Sequence, residues 1–262
     1  MRKKIYEFNS NYEIGKANFL LSFNKKKFID IFNKIEGQKS KVYNKNLGIL
    51  KNQKLSIVDF GCGVGSLIPF YSKLNIKHCY LIDINSKFLK ICNKYYNTLT
   101  NRNKFKIKKQ NIVNVKNFSK FDLVVCTGVL GYLKNSYQKK IITNFTKLSN
   151  KYILIEFIRG NSFFSNLFKI TSYKIVKKIV LFFLILAYFS YHILFFLKRD
   201  NTLIIFFVKL ISLLSDLSSN NYQAININNV NFYKHHLQKH KFKLIKKFED
   251  KSLIALLFIK NK

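Results

Sequence analysis

Apolar positions change period several times along this 262-residue chain. From Ile14 to Ile35, Phe19, Leu20, Phe23, Phe28, Ile31, Phe32 and Ile35 recur at spacings of three and four, which predicts one or two amphipathic helices. Residues 36–53, "GQKSKVYNKNLGILKNQK", are polar without a clear period and read as a connecting loop. Beyond them, short β-branched runs alternate with helical stretches. Strands are expected at Ser56–Asp59, Cys79–Asp83, Lys104–Lys108, Leu123–Cys126 and Tyr152–Phe157, with helices near 66–74, 86–97 and 136–148. That alternation predicts an α/β fold, a doubly wound parallel sheet with helices on both faces. Two later runs, Lys243–Lys247 and Leu253–Ile259, are joined through Glu249, Asp250 and Lys251. Such a link is too short for a crossover, so this pair is expected to form an antiparallel hairpin.

The first strand runs into "DFGCGVG", with glycines at 61, 63 and 65. At a strand end before a helix, missing Cβ atoms permit a tight turn with positive φ and let a ligand press against the backbone. Asp83 closes the second strand just over twenty residues after Gly61, where a carboxylate can accept both hydroxyl protons of a ribose. A nucleoside is implied. A dinucleotide turn wants a small residue where this chain has Ser66, and the third glycine falls one position early, at Gly65.

Asp-x-Gly-x-Gly-x-Gly resembles the first motif of the class I S-adenosylmethionine-dependent methyltransferases. The resemblance runs on through "CYLIDIN", "QNIVNV" and "FDLVVCTGVLGYL" and covers roughly residues 51–160 and 226–262. It implies a Rossmann-like seven-stranded sheet in the order 3-2-1-4-5-7-6 with the last strand antiparallel, and S-adenosyl-L-methionine as cofactor. It also implies cofactor contacts from Asp59, near the methionine part, from Gly61, Gly63 and Gly65, from Asp83 and Ile84 at the ribose end of the second strand, from Asn111 and Ile112 around the adenine, and from Thr127 after the fourth strand. Asn111 stands where the family usually carries an Asp, which keeps an acceptor oxygen and removes the charge.

Methyl transfer from a sulfonium is an in-line displacement in which alignment of the reactants supplies much of the catalysis, so a base is optional. The strand-end candidates for one are Tyr132 and Glu156, with Arg159 a third. Glu156 lies among apolar residues in "YILIEFIRG" and must be paired or face a cavity; a salt bridge to a lysine is the other reading.

Between the fifth and sixth strands, "IVLFFLILAYFSYHILFFL" from Ile179 to Leu197 holds no charged residue and is flanked by Lys177, Lys178, Lys198 and Arg199. Nineteen residues at about 1.5 Å each come to about 28 Å, just enough to cross a bilayer core. The following run, "LIIFFVKLISLL", is too short to return, so a hydrophobic helical hairpin lying in the cytoplasmic leaflet is expected. Buried helices or a dimer interface are the alternative. Three parts follow: a helical cap over 1–50, the cofactor-binding core over 51–160 and 226–262, and a membrane-associating insert over 161–225.

Composition changes this picture little. The net charge of +35 invites an anionic membrane or a nucleic acid, and a codon bias toward residues such as Lys, Asn, Ile and Phe would give the same charge without any polyanionic partner. Nucleic acid is disfavoured as acceptor: exocyclic base amines call for an Asp/Asn-Pro-Pro-aromatic loop, and the single proline is Pro69. Cys126, inside a strand, is core rather than the nucleophile that cytosine C5 chemistry needs. The four cysteines show no zinc spacing and read as buried hydrophobes of a reducing compartment; no metal site is expected. His192 reads as an interfacial side chain, and His235, His236 and His240 as a solvated helix face. No apolar run follows the basic residues of "MRKKIYEFNSNYE", so a secretory signal is not expected and the catalytic part is placed in the cytoplasm, peripheral or monotopic at the membrane.

The reading is a methyltransferase acting on a small hydrophobic or lipid-linked acceptor at a membrane surface. The alternatives are a soluble small-molecule or RNA methyltransferase, and a catalytically silent nucleoside-binding scaffold. Nothing in the sequence specifies an oligomer.

Overall fold

The computed structural model describes residues 11–114, 118–133, 135–158, 230–250 and 253–261. The expected insert over 161–225, with His192, and Arg159 lie outside the described residues. The chain divides into two compact units, Met1–Ser22 with Asn161–Gln223, and Phe23–Gly160 with Ala224–Lys262. Of the first, helix α1 (Asn11–Ser22) is described, with Ala17, Phe19 and Leu20 buried.

The second unit is built on seven strands: β1 (Leu55–Phe60), β2 (Ile76–Asp83), β3 (Phe105–Lys109), β4 (Phe121–Thr127), β5 (Ser149–Ile158), β6 (Phe242–Asp250) and β7 (Leu253–Lys260). They line up as β3-β2-β1-β4-β5-β7-β6. β1 to β5 are parallel, while β7 runs antiparallel to both β5 and β6. Order and hairpin both match the sequence expectation. Every residue of β1 is buried, as a strand covered on both faces requires. The order reverses between β1 and β4, so the crevice at the carboxyl ends of these two strands is the place for a ligand.

Helices α5 (Ser86–Tyr96) and α6 (Asn135–Leu148) follow the predicted spans closely. The Asn85 side chain caps α5 by accepting from the N–H groups of Lys87 and Phe88. Helix α4 shrinks to Ile68–Tyr71, with Pro69 in its first turn, against an expected 66–74. Helix α7 (Val230–Gln238) buries Tyr233 and Leu237; it carries His235 exposed and His236 half-buried, while His240 lies beyond its end and is exposed. The exposed lysines 243, 246 and 247 and a register irregularity between Leu244 and Lys246 blunt the outer strand β6 against edge pairing.

One segment departs from expectation. Ahead of β1, α2 (Lys25–Ile35) is the predicted amphipathic helix, but the stretch read as a loop contains a second helix, α3 (Gly37–Asn46), and a 3-10 turn at Gly48–Leu50. Its buried side carries Gly37, Ser40 and Tyr43, and Leu47 just beyond it is buried too. The spacing is helical, but a glycine, a serine and a tyrosine supply the buried face, so a count of aliphatic residues misses it.

Candidate cofactor site and active site

The turn after β1 uses its three glycines for two different purposes. All three have positive φ: 74° at Gly61, 56° at Gly63 and 88° at Gly65. A Cβ on Gly61 would stand 2.2 Å from Val129 Cγ2, in the loop after β4, and one on Gly65 would meet Ile68 Cδ1 at 2.5 Å and Cys92 Sγ at 3.0 Å. Those two are excluded by the protein itself. Gly63 has nothing within 4 Å of the same point, so its bare backbone is presented to open space.

Two acids flank this turn. Asp83 Oδ2 accepts from the Gly63 N–H at 2.9 Å and Oδ1 from the Asn85 N–H at 2.8 Å, so the end of β2 is tied to the turn of β1. Burial raises its pKa, and the backbone donors oppose the shift. Ile84 follows with 42% of its surface exposed, a large apolar side chain facing out beside the turn. Asp59 is buried; its Oδ2 accepts from the Tyr71 hydroxyl at 2.9 Å while Oδ1 has no hydrogen-bond partner. Burial pushes Asp59 up to about 7, against the lowering effects of Tyr71 and of Lys39, with Asp83 and Glu156 adding to the rise.

The remaining candidates gather at the same ends of the sheet. The Gln110 N–H donates to the Asp83 carbonyl at 3.0 Å and leads β3 into Asn111. Asn111 Oδ1 accepts from the Val113 N–H at 2.9 Å, a local turn that starts the 3-10 helix Ile112–Asn114, and Ile112 is buried. Thr127, half-buried, ends β4 and pairs in register with Glu156 of β5. Tyr132 closes the single-turn helix Leu130–Tyr132 beyond β4; its side chain lies outside what is described.

Glu156 is buried and doubly engaged. Oε1 accepts from Lys39 Nζ at 2.6 Å and Oε2 from the Tyr43 hydroxyl at 2.5 Å, both from α3. The same helix meets the glycine turn, where the Ser40 hydroxyl donates to the Ser66 carbonyl at 2.6 Å and the Ser66 hydroxyl donates to Glu36. Helix α3 is thus fastened across the carboxyl ends of β1 and β5. Sequence reasoning missed Lys39, Tyr43 and Tyr71. The available signal was the spacing of Glu36, Ser40 and Tyr43, helical although polar.

The four cysteines are free and buried, as expected, and burial pushes Cys62, Cys79 and Cys126 up. No group of His, Cys, Asp and Glu suited to a metal occurs among the described residues.

Sheet order, reversed last strand and a glycine turn tied to the acid that closes β2 set the frame for the comparison with known proteins. Residues 58–151 match the family model described as a methyltransferase domain. That stretch is similar to a methyltransferase domain, and the fold is the one that class I S-adenosylmethionine-dependent methyltransferases share. Among solved structures, magnesium protoporphyrin IX methyltransferase of Synechocystis with bound S-adenosylhomocysteine superposes with a TM-score of 0.55 at 15% identity, over 87% of this chain and 83% of that one. The N-methyltransferase NodS of Bradyrhizobium japonicum, with the same ligand, gives 0.53 at 12% identity over 96% of this chain and all of that one. An O-methyltransferase family 2 protein of Planctomyces limnophilus in complex with apigenin gives 0.54 at 10% identity, this chain spanning 64% of its length. No curated protein matches the sequence significantly.

The residues present suit the cofactor. The orphaned Asp59 Oδ1 is a buried acceptor for a cationic or hydroxyl donor, and the open backbone at Gly63 leaves room for the ligand.

Proposed function

We propose that the protein transfers a methyl group from S-adenosylmethionine to a small hydrophobic or lipid-linked acceptor at a membrane surface. Asp83 holds the ribose hydroxyls, Ile84 and Ile112 enclose the adenine, with Asn111 beside it, and Asp59 faces the methionine ammonium. Gly61, Gly63, Gly65 and Thr127 line the approach. When bound, the cofactor supplies an electrophilic methyl group on a sulfonium. The chain's part is to hold the acceptor in line with it and exclude water, which for a displacement of this kind supplies most of what is needed.

Tyr132 is the proposed proton-handling group on the acceptor side. Glu156, neutralised by Lys39 and fixed by Tyr43, is the proposed positioning residue, fastening α3 over the crevice. What supports the hydrophobic acceptor is the composition of the run Ile179–Leu197, nineteen residues without a charge that follow β5 in the sequence. Larger planar acceptors are consistent with the porphyrin and flavonoid named for two structural neighbours. Among the described residues, no helix is long and apolar enough to cross a membrane.

The test has two arms. Calorimetry with S-adenosylhomocysteine should show binding that Asp83→Ala loses. Radiolabelled methyl transfer to a total lipid extract, partitioned between water and chloroform, should place the label in the organic phase. Label confined to water-soluble products refutes the hydrophobic acceptor while leaving the cofactor reading in place.

A further inference from the structure

Among the described residues, the connection from β3 to β4 lays no full helix on the sheet. Residues 110–120 separate the two strands, and among the described ones only the single turn Ile112–Asn114 is helical. A crossover of this kind ordinarily lays a full helix on the sheet. In its place the ring of Phe118 packs 6.0 Å from Phe60, 6.3 Å from Tyr80 and 6.2 Å from Phe121. Register sets Tyr80 beside Lys106, and alternation along the strands puts His78 and Lys108 on the same face.

Phe60 and Phe121 are buried, whereas His78, Tyr80 and Phe118 are half-buried and both lysines exposed. Lys106 Nζ stands 5.5 Å from the Tyr80 ring centre and Lys108 Nζ 4.8 Å from that of Phe118. From Ile84 through Phe121 the sequence holds ten Lys and Arg and no Asp or Glu. The opposite sheet edge is as rich in lysine but differs in kind: β6 exposes Ile245 rather than rings, and Lys247 is paired with Glu249 at 2.9 Å.

We propose that this face of β2 and β3 binds single-stranded RNA, with bases on Tyr80 and His78 and phosphates on Lys106 and Lys108. Aromatic side chains on an open sheet face are a sequence-tolerant platform for unpaired bases. A cation–π contact at an exposed site is weak, so a stacked base displaces the ammonium from the ring and leaves it to pair with a phosphate. Total charge does not distinguish this face from the rest of the protein; the rings beneath the lysines do.

The experiment is fluorescence anisotropy of the full chain with a labelled oligouridylate of about twelve nucleotides, at about 50 mM and about 200 mM salt. Tyr80→Ala should weaken binding by about fivefold or more, the lower end of what one stacked base contributes. Lys106→Gln with Lys108→Gln should flatten the log–log salt dependence by about 1.4, two phosphate contacts at about 0.7 each. Lys243→Gln with Lys246→Gln removes the same charge from β6 and should change little. Calorimetry with S-adenosylhomocysteine reports that each variant is folded, and the lysine pair is exposed, so its slope is readable even if Tyr80→Ala does not fold.

Equal effects of the two lysine pairs overturn the proposal, because bulk charge then explains the binding. So does an absence of RNA binding. Sedimentation with phosphatidylserine vesicles that depends on Lys106 and Lys108, without RNA binding, overturns it in favour of a lipid surface.

Discussion

Asp59→Asn separates what the fold tolerates from what the cofactor needs. The side chain is buried, with Oδ2 on the Tyr71 hydroxyl and Oδ1 without a partner, and burial pushes it up to about 7. An Asp in the unfolded chain titrates near its ordinary value of 3.8, so between that pH and about 7 the folded state binds the extra proton. Stability therefore falls as pH rises through this window and levels off above it. A rise of about three units corresponds to about 4 kcal/mol, the cost of ionising Asp59 in the cofactor-free fold. Asparagine keeps an acceptor for Tyr71 and cannot ionise.

Between pH 5 and pH 8 the stability of the variant relative to the wild type should rise by about 3 kcal/mol, or about 6 °C, the part of the window that lies from pH 5 to about 7. Cofactor affinity should move the other way. About a tenth of Asp59 is ionised one unit below its pKa and about nine-tenths one unit above, so wild-type affinity for S-adenosylhomocysteine should rise about tenfold from pH 6 to pH 8 relative to the variant. Other titrating groups cancel in the ratio. Differential scanning fluorimetry of nucleoside-free protein and calorimetry at three pH values measure both quantities. A variant whose stability relative to the wild type does not rise between pH 5 and pH 8, or one whose affinity follows the wild-type pH profile, refutes the assignment of Asp59 to the ligand's ammonium.

Gly61→Ala should cost about 3–4 kcal/mol of stability in chemical denaturation, because its Cβ would stand 2.2 Å from Val129 Cγ2 on a backbone with φ of 74°. Gly63→Ala has room for its methyl and should cost only about 1–2 kcal/mol for the left-handed backbone, yet it should lose cofactor affinity more than tenfold by calorimetry. Glu156→Gln should cost about 3 kcal/mol by leaving Lys39 without its partner, with kcat reduced less than tenfold and an unchanged pH profile; loss of a kinetic pKa would instead make it the base. Tyr43→Phe should raise KM more than it lowers kcat if its bond to Glu156 serves to hold α3 over the site.

The fold was legible wherever burial is aliphatic. β1, β4 and β7 are runs of Val, Ile, Leu and Phe, and the short link before β7 already required a reversed strand. Asp83 was legible from its distance to the glycines, and its two backbone donors account for its place. Helix α3 was not, because its buried positions are Gly37, Ser40 and Tyr43 and its anchors are hydrogen bonds to groups more than twenty residues away in sequence. The pairing of Glu156 with a lysine was foreseen as one of two readings, but neither the lysine nor the helix that carries it was. Nor was Tyr71, which a hydrophobic pattern reads as core although its hydroxyl holds Asp59.

The position of β7 bears on how the protein is made. β5 is finished at Ile158, but its neighbour on one side is β7, which begins at Leu253 and lies between β5 and β6. While the chain is being synthesised, β5 keeps an open apolar edge through the translation of the whole Ile179–Leu197 run. At about 5–20 residues per second, roughly 5 to 20 seconds pass before the strand that covers it emerges from the ribosome. The sheet is therefore complete only once its last strand has been made, although every residue of the glycine turn, and Asp83 with them, is translated early.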